Sequence, residues 1–414
     1  MASKSGNKIS AIEEHYFDPE IAALYDDKSG LTGTPIRAKM DDLYDLRIKN
    51  MDESGIDVQV LSQGAPGVQR FDGETATRLA IGANDRLNET CQRHPDRFAG
   101  FATLASPAPE AAADELERTV KDYGFKGGMI HGLTNGEFID QKKFWPIFAR
   151  AEALDVPIYI HPAVPHQDVV KAYYADYLPK YPSLLTAAWG FTVETATAGI
   201  RMVLSEVFEE YPKLQIVLGH LGEGLPFLLW RISDALARDN EYPFREKFCN
   251  HFHITTSGNF SDPAMVCSMM EMGIDRIMFS VDYPFAPNMQ GTEWMENISL
   301  SPDDKKKVLH GNVFIGCIGE LKTRNTQVLP EAYEIDPLPL LRYAVSRSIE
   351  NGIVNIIAQT IKQTNGRLQR SSFRMAKKIL NVFQKQYIGF VKTRNAQDFI
   401  KQCPPGIFKP LLVA

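Results

Sequence analysis

A few short stretches of this 414-residue chain carry side chains able to hold a metal ion or move a proton. Glu13 and His15 stand two apart at the end of the run Lys8-Ile9-Ser10-Ala11-Ile12. His161 follows Tyr159-Ile160, His220 follows Val217-Leu218-Gly219, and Asp282 follows Phe279-Ser280-Val281. Residues two apart on a strand share a face, so Glu13 and His15 should point the same way. Two imidazoles (His15, His161) and two carboxylates (Glu13, Asp282) make a mixed nitrogen and oxygen donor set. Such a set suits one divalent ion, Zn2+ or Mn2+, with Mg2+ also admissible. Open coordination positions would let a substrate oxygen reach that ion.

Each residue taken alone has a plainer reading. A single Glu-x-His is commonly surface or core polarity. Asp282 ahead of Tyr283-Pro284 could serve a turn, and His220 could cap a helix or satisfy a core hydrogen bond. Their common position, each at the end of a strand-like run, favours the metal reading. His220 and Glu223 form a His-x-x-Glu pair. A carboxylate beside an imidazole raises its pKa and fixes its tautomer, which suits acid/base or substrate-orienting work. His131 ends another strand-like run and is a candidate lining residue, as is His166 beyond His161. His94, His251, His253 and His310 are read as structural.

The elements that must position these residues alternate along the chain. Strand-like runs occur at residues 8–13, 57–61, 98–102, 127–131, 156–161, 214–219, 252–256 and 276–281, with helical patterns between them. Ala113, Leu116, Val120 and Tyr123 fall at helical spacing within 107–123, and 144–154 repeats the pattern. Residues 186–211 read as one long helix or a pair, ending at Tyr211-Pro212. Eight strands alternating with helices imply an α/β fold of parallel units, a (β/α)8 TIM-like barrel. An open doubly wound sheet would usually place a glycine-rich turn after its first strand; this one ends in Glu13-Glu14-His15. In a barrel the C-terminal strand ends meet at one mouth, where active sites sit. The stretches after the first and fifth strands are read as insertions over that mouth.

The bulk properties bound the rest. Residues 1–7 are small and polar and carry no apolar leader, so they are read as a flexible N-terminus. No apolar run approaches the ~18 residues of a membrane helix. Five scattered cysteines with no CxxC pair signal neither a disulfide framework nor a thiolate zinc site, and point to a reducing, cytoplasmic setting. The net charge of −6 gives no reason to expect nucleic acid as a partner. That charge is uneven: from Lys322 onward there are 15 basic and 5 acidic residues. We therefore expect a barrel over 8–320, a proline-containing linker over 321–340, and a basic helical C-terminal extension over 341–414.

The chain resembles the decarboxylase branch of the amidohydrolase superfamily, which includes γ-resorcylate, 2,3-dihydroxybenzoate and aminocarboxymuconate-semialdehyde decarboxylases. The resemblance spans about residues 8–320 and rests on five stretches in the family's order. They are Lys8-Ile9-Ser10-Ala11-Ile12-Glu13-Glu14-His15, Tyr159-Ile160-His161-Pro162, 212–224 with its Gly219-His220-Leu221-Gly222-Glu223-Gly224, Thr255-Thr256-Ser257-Gly258-Asn259-Phe260, and Phe279-Ser280-Val281-Asp282-Tyr283-Pro284-Phe285. Hydrolytic relatives usually open on His-x-His and often carry a carbamylated lysine on strand four. Here the pair is Glu-x-His and strand four ends in His131, which favours a mononuclear site.

The resemblance implies a metal-dependent decarboxylase of a hydroxylated aromatic acid of the 2,3-dihydroxybenzoate, γ-resorcylate or salicylate type. It implies an ion chelating the substrate carboxylate and an ortho oxygen, and Asp282 donating a proton to the ring carbon, which requires Asp282 protonated in the complex. It also implies substrate contacts from His220 with Glu223, Arg231, His131 and Phe285. Arg231 matches an arginine that reaches a neighbouring subunit's site, so a homodimer or homotetramer is expected. Two features depart from the pattern. Ala198 and Gly199 stand where relatives commonly have a histidine after Glu194-Thr195-Ala196-Thr197, and the loop over 286–293 is not the usual acidic-aromatic one. The alternatives are a metal-dependent lactone or amide hydrolase on the same barrel, a decarboxylase of a non-aromatic unsaturated acid such as aminocarboxymuconate semialdehyde, and a catalytically dead scaffold. The intact donor set argues against the last.

Overall fold

The computed structural model describes residues 6–25 and 31–313. The expected linker and basic extension lie outside those residues, as does most of the expected N-terminal segment. Among the described residues nine strands form two parallel sheets. The first holds β1 (Ser10–Tyr16), β2 (Val58–Gln63) and β3 (Phe98–Gly100). The second holds β4 (Ala102–Thr103), β5 (Gly128–His131), β6 (Ile158–His161), β7 (Ile216–Leu218), β8 (Phe252–Thr255) and β9 (Ile277–Met278) in that order. The third strand expected from the sequence is thus in two pieces, parted only at Phe101. Hydrogen bonds bracket the break: Phe101 N–H donates to Leu61 O at 2.9 Å and Ala102 N–H to Gly127 O at 2.8 Å. Beyond β9, Tyr283 bridges in parallel to Glu14 on β1, and His15 N–H donates to Tyr283 O at 2.7 Å.

Parallel neighbours need crossovers, and helices supply them. Gly73–Arg93, Pro109–Tyr123, Trp145–Leu154, Leu225–Asn240 and Asp262–Met272 each lie between consecutive strands. Gly73–Arg93 shows how they dock: Ala76, Leu79, Ala80, Ala83 and Leu87 are buried at helical spacing, and Asp72 caps it by accepting from Thr75 N at 3.0 Å. The region 186–211 resolves as the pair, Gly190–Leu204 and Val207–Glu210, broken where Glu206 takes a left-handed φ of 67°.

Strand alternation sorts the apolar side chains into two layers. Ile12, Val60, Phe101, Met129, Tyr159, Val217 and Met278 pack into one cluster. Their strand neighbours Leu61, Ile130, Ile158, Ile160, Ile216, Leu218, Ile254 and Ile277 join the larger core shared with the helices. On the face of the first cluster, the residues nearest the C-terminal strand ends are polar: Ser62, His131, His161 and Thr255, all buried.

Candidate active site

β1 carries one extra residue relative to β2, because Ala11 pairs with Gln59 but Glu14 with Leu61. Such a bulge bends a strand and re-aims its side chains. Beyond it, Glu13 and His15 face the same space, as their spacing predicts, with Glu13 Oε1 and His15 Nε2 at 3.9 Å. His161 at the end of β6 puts Nε2 3.3 Å from Glu13 Oε1. Asp282, just past β9, puts Oδ1 3.4 Å from His15 Nε2. One donor atom from each of the four lies within 4.8 Å of the other three. Donors bound at about 2.0–2.2 Å to one ion lie about 3–4 Å from each other, so the spacing suits a single ion.

The remaining polar atoms of these residues are occupied in a way that leaves the inward ones free. Glu13 Oε2 accepts from Tyr159 Oη, Ser257 Oγ and, at 3.2 Å, Thr255 Oγ1. Glu13 Oε1 has no hydrogen-bond partner although it is buried. His15 Nδ1 meets Ser62 Oγ at 3.1 Å while the buried Nε2 has none. His161 Nδ1 lies 2.7 Å from Pro162 O, which fixes the tautomer with Nε2 free of its proton. Buried polar atoms left unpaired cost about 1–3 kcal/mol each. Two of them aimed into one gap, beside a second imidazole and a second carboxylate, fit a bound cation.

His220 and Glu223 sit on a tight turn after β7. Left-handed φ angles run from His220 (51°) through Leu221, Gly222 and Glu223 to Gly224 (75°). The turn brings His220 Nδ1 to Glu223 Oε1 at 2.6 Å. His220 Nε2 faces the cluster, 3.8 Å from both Glu13 Oε1 and Asp282 Oδ2. Gly219 permits this approach: a Cβ there would sit 2.9 Å from Glu13 Oε2. The His220 and Asp282 side chains keep 24% and 17% exposure while Glu13 and His15 have none, so the opening lies on their side. Phe285, half exposed, stands there with its ring 6.0 Å from that of His15.

The charges are strongly coupled. Burial pushes the Glu13 carboxyl up, against the pull of His220. Burial works against a charged His220, but Glu223, Glu13 and Asp282 together carry its pKa well above the ordinary value. Burial would raise Asp282 too; the neighbouring imidazoles of His15 and His220 outweigh it and hold the carboxyl low. A carboxyl held low runs against the protonated Asp282 that the resemblance implies.

Other candidates fall differently. His131 is buried behind His161, Nδ1 to Nδ1 at 3.1 Å, and burial lowers its pKa to about 3. His166 is exposed, its Nδ1 accepting from Asp168 N at 3.3 Å. Arg231 is exposed on Leu225–Asn240 beside Phe227 and Trp230, and makes none of the cluster's hydrogen bonds or ion pairs. His94, His251, His253 and His310 are held in structural contacts with Phe98, Leu214 O, Arg276 and Ser10. Sequence reading missed Tyr159, Thr255, Ser257 and Ser62. The available signal was hydroxyl residues at inward, alternate positions of otherwise apolar strands.

The amidohydrolase family profile matches residues 19–312. The chain is 38% identical over 320 residues to a γ-resorcylate decarboxylase of Polaromonas sp., covering 73% of this chain and 96% of that one. A crystal structure of 2,6-dihydroxybenzoate decarboxylase complexed with 2,6-dihydroxybenzoate superposes with a TM-score of 0.69 at 36% identity, over 75% of this chain and 98% of the other. A dihydroxybenzoic acid decarboxylase from Polaromonas sp., with bound manganese and the inhibitor 2-nitroresorcinol, gives 0.70 at 37% identity, over 75% and 96%.

Proposed function

Since the chain belongs to the amidohydrolase family, within its branch of decarboxylases, we propose that it is a metal-dependent carboxy-lyase removing CO2 from a hydroxylated aromatic acid. One observation carries the reading: donor atoms from Glu13, His15, His161 and Asp282, on three distant stretches of chain, converge within 4.8 Å. These four residues would hold one divalent ion, with Mn2+ and Zn2+ the candidates. We read the nine strands as the eight staves of a closed barrel, with β3 and β4 sharing one.

When bound, the ion supplies Lewis acidity that neutralises and orients the substrate's carboxylate and its ortho oxygen. Asp282 transfers a proton to the ring carbon that bears the carboxylate. The bond from that carbon to the carboxylate then breaks, CO2 leaves, and the bonding electrons restore the aromatic ring. His220, oriented by Glu223, hydrogen-bonds the substrate hydroxyl and stands beside Asp282 Oδ2 at 3.8 Å. Phe285 offers a ring face at the opening.

The test is CO2 release by the purified, Mn2+-loaded protein from 2,6-dihydroxybenzoate, 2,3-dihydroxybenzoate and salicylate, set against lactone and amide hydrolysis. Turnover of at least one hydroxybenzoate is expected. Hydrolysis without CO2 release from any of the three would replace this reading by the hydrolase one, in which Asp282 acts as a base towards water. A second copy of the chain is the proposed partner: Phe227 and Trp230, 82% and 68% exposed, flank the stretch leading to Arg231 on one helix.

A further inference from the structure

Asp282 occupies a backbone conformation uncommon outside glycine, though Asp adopts it more readily than most residues. Its φ is 72°, in the left-handed region where residues with a Cβ are uncommon. Such conformations persist where the surroundings over-determine them. Here the backbone on either side is tied down. Thr256 Oγ1 donates to Ser280 O at 2.7 Å and accepts from Ser280 N at 3.0 Å. Gly258 N–H donates to Val281 O at 3.1 Å, and His15 N–H to Tyr283 O.

The two amides directly flanking Asp282 go to one side chain. Glu14 Oε1 accepts from Val281 N–H at 2.9 Å, and Glu14 Oε2 from Tyr283 N–H at 3.1 Å. Ser280 Oγ donates to Oε1 as well, at 3.0 Å. Glu14 points away from Glu13 and His15, as strand alternation requires, and is fully buried. Arg47, also buried, backs this arrangement. Its guanidinium lies 4.6 Å over the Tyr283 ring, its Nη2 donates to His15 O, and its Nη1 donates to Gln59 Oε1 at 3.1 Å.

We propose that Glu14 is a positioning residue for the decarboxylation: the two oxygens of its carboxyl group grip the amides of Val281 and Tyr283 and so set where the Asp282 carboxyl delivers its proton. This rests on the reading of Asp282 as proton donor. A carboxyl group with one acceptor oxygen for each amide is the chemistry this requires. A Gln at the same place turns an N–H2 group towards one amide, and an Asp is too short to span both.

The experiment uses the full chain loaded with saturating Mn2+, in parent, Glu14→Gln, Glu14→Asp and Asp282→Asn forms, on whichever hydroxybenzoate turns over fastest. Both Glu14 variants should lose kcat on the order of 100-fold, since a displacement of about 1 Å can cost that much, with KM within threefold. Their solvent deuterium isotope effect on kcat should rise as proton transfer becomes slower. Without any turnover assay, hydrogen exchange of the peptide containing Val281 and Tyr283 should speed up. Parent-like kcat and exchange in both Glu14 variants would overturn the proposal, as would a loss of kcat matched by an equal loss of bound Mn2+. An inactive Asp282→Asn beside fully active Glu14 variants sinks this inference alone. An active Asp282→Asn sinks the proton-donor reading beneath it.

Discussion

Replacing Tyr159 by Phe removes one of the three hydroxyls on Glu13 Oε2 and leaves every proposed ligand in place. Groups that orient ligands in this way typically contribute about 10–100-fold to metal affinity. We expect Tyr159→Phe to weaken Mn2+ binding within that range, read by titration of the metal-free protein. His161→Ala should go further and lose about one equivalent of metal, read by elemental analysis of the purified protein. Asp282→Asn removes the transferable proton, so CO2 release should fall on the order of 100-fold or more even at saturating Mn2+. Among single residues the sequence was informative where chemistry and position coincide. Glu13, His15, His161 and Asp282 are metal-ligating side chains at the ends of apolar runs, and their donor atoms do meet. It was uninformative about Tyr159, Thr255 and Ser257, because a hydroxyl on a strand is ordinary until its partner is known. Arg231 marks the other boundary, since its expected role involves a second copy and leaves no trace among this chain's own contacts.

At the level of elements, alternation of strand and helix was legible because parallel strands need long crossovers. Boundaries were less so. β1 starts at Ser10 rather than Lys8, and β9 is only Ile277–Met278 where 276–281 was expected. Hydrogen bonding to neighbours decides such ends, and no local pattern encodes it. The bulge in β1 was likewise unreadable, although it sets how Glu13 and His15 are aimed. The join between β7, β8 and the turn before β9 offers a separate test. Arg276 Nη1 donates to His253 Nε2 at 2.9 Å and to Gln215 Oε1 at 2.8 Å. Burial, reinforced by Arg276, holds His253 neutral with its pKa well below the ordinary value. The unfolded chain protonates this histidine near pH ~6.5. As pH falls through that value the unfolded state takes up a proton that the folded state refuses, so stability declines. The urea midpoint should therefore be lower at pH 5.5 than at pH 7.5, and His253→Gln should show a shallower decline between the two. An equal decline in both proteins would remove His253 from the account.

For the whole molecule, the family match over residues 19–312 falls on the part of the chain whose described residues are 6–25 and 31–313. The extreme charge contrast singled out the remainder from sequence, but composition assigns no task to it. Among the described residues no helix is long and apolar enough to cross a membrane. Phe227 and Trp230 are large apolar surfaces facing outward, and the proposed second copy would cover them. Phe227→Ser with Trp230→Ser should lower the mass seen by sedimentation equilibrium towards that of one 46.4 kDa chain. An unchanged mass would place any interface elsewhere.

The three hydroxyls on one oxygen of Glu13 also bear on which cation the protein can accept. With that oxygen already taken up by hydrogen bonds, Glu13 in its proposed role would have only Oε1 to offer an ion. Calcium prefers six to eight oxygen ligands, often taking both atoms of a carboxylate, and would find here two nitrogens and a carboxylate that cannot open. A smaller ion content with fewer, harder-pointed donors is not so handicapped. Discrimination against calcium would then come from what surrounds the ligand rather than from the ligand itself.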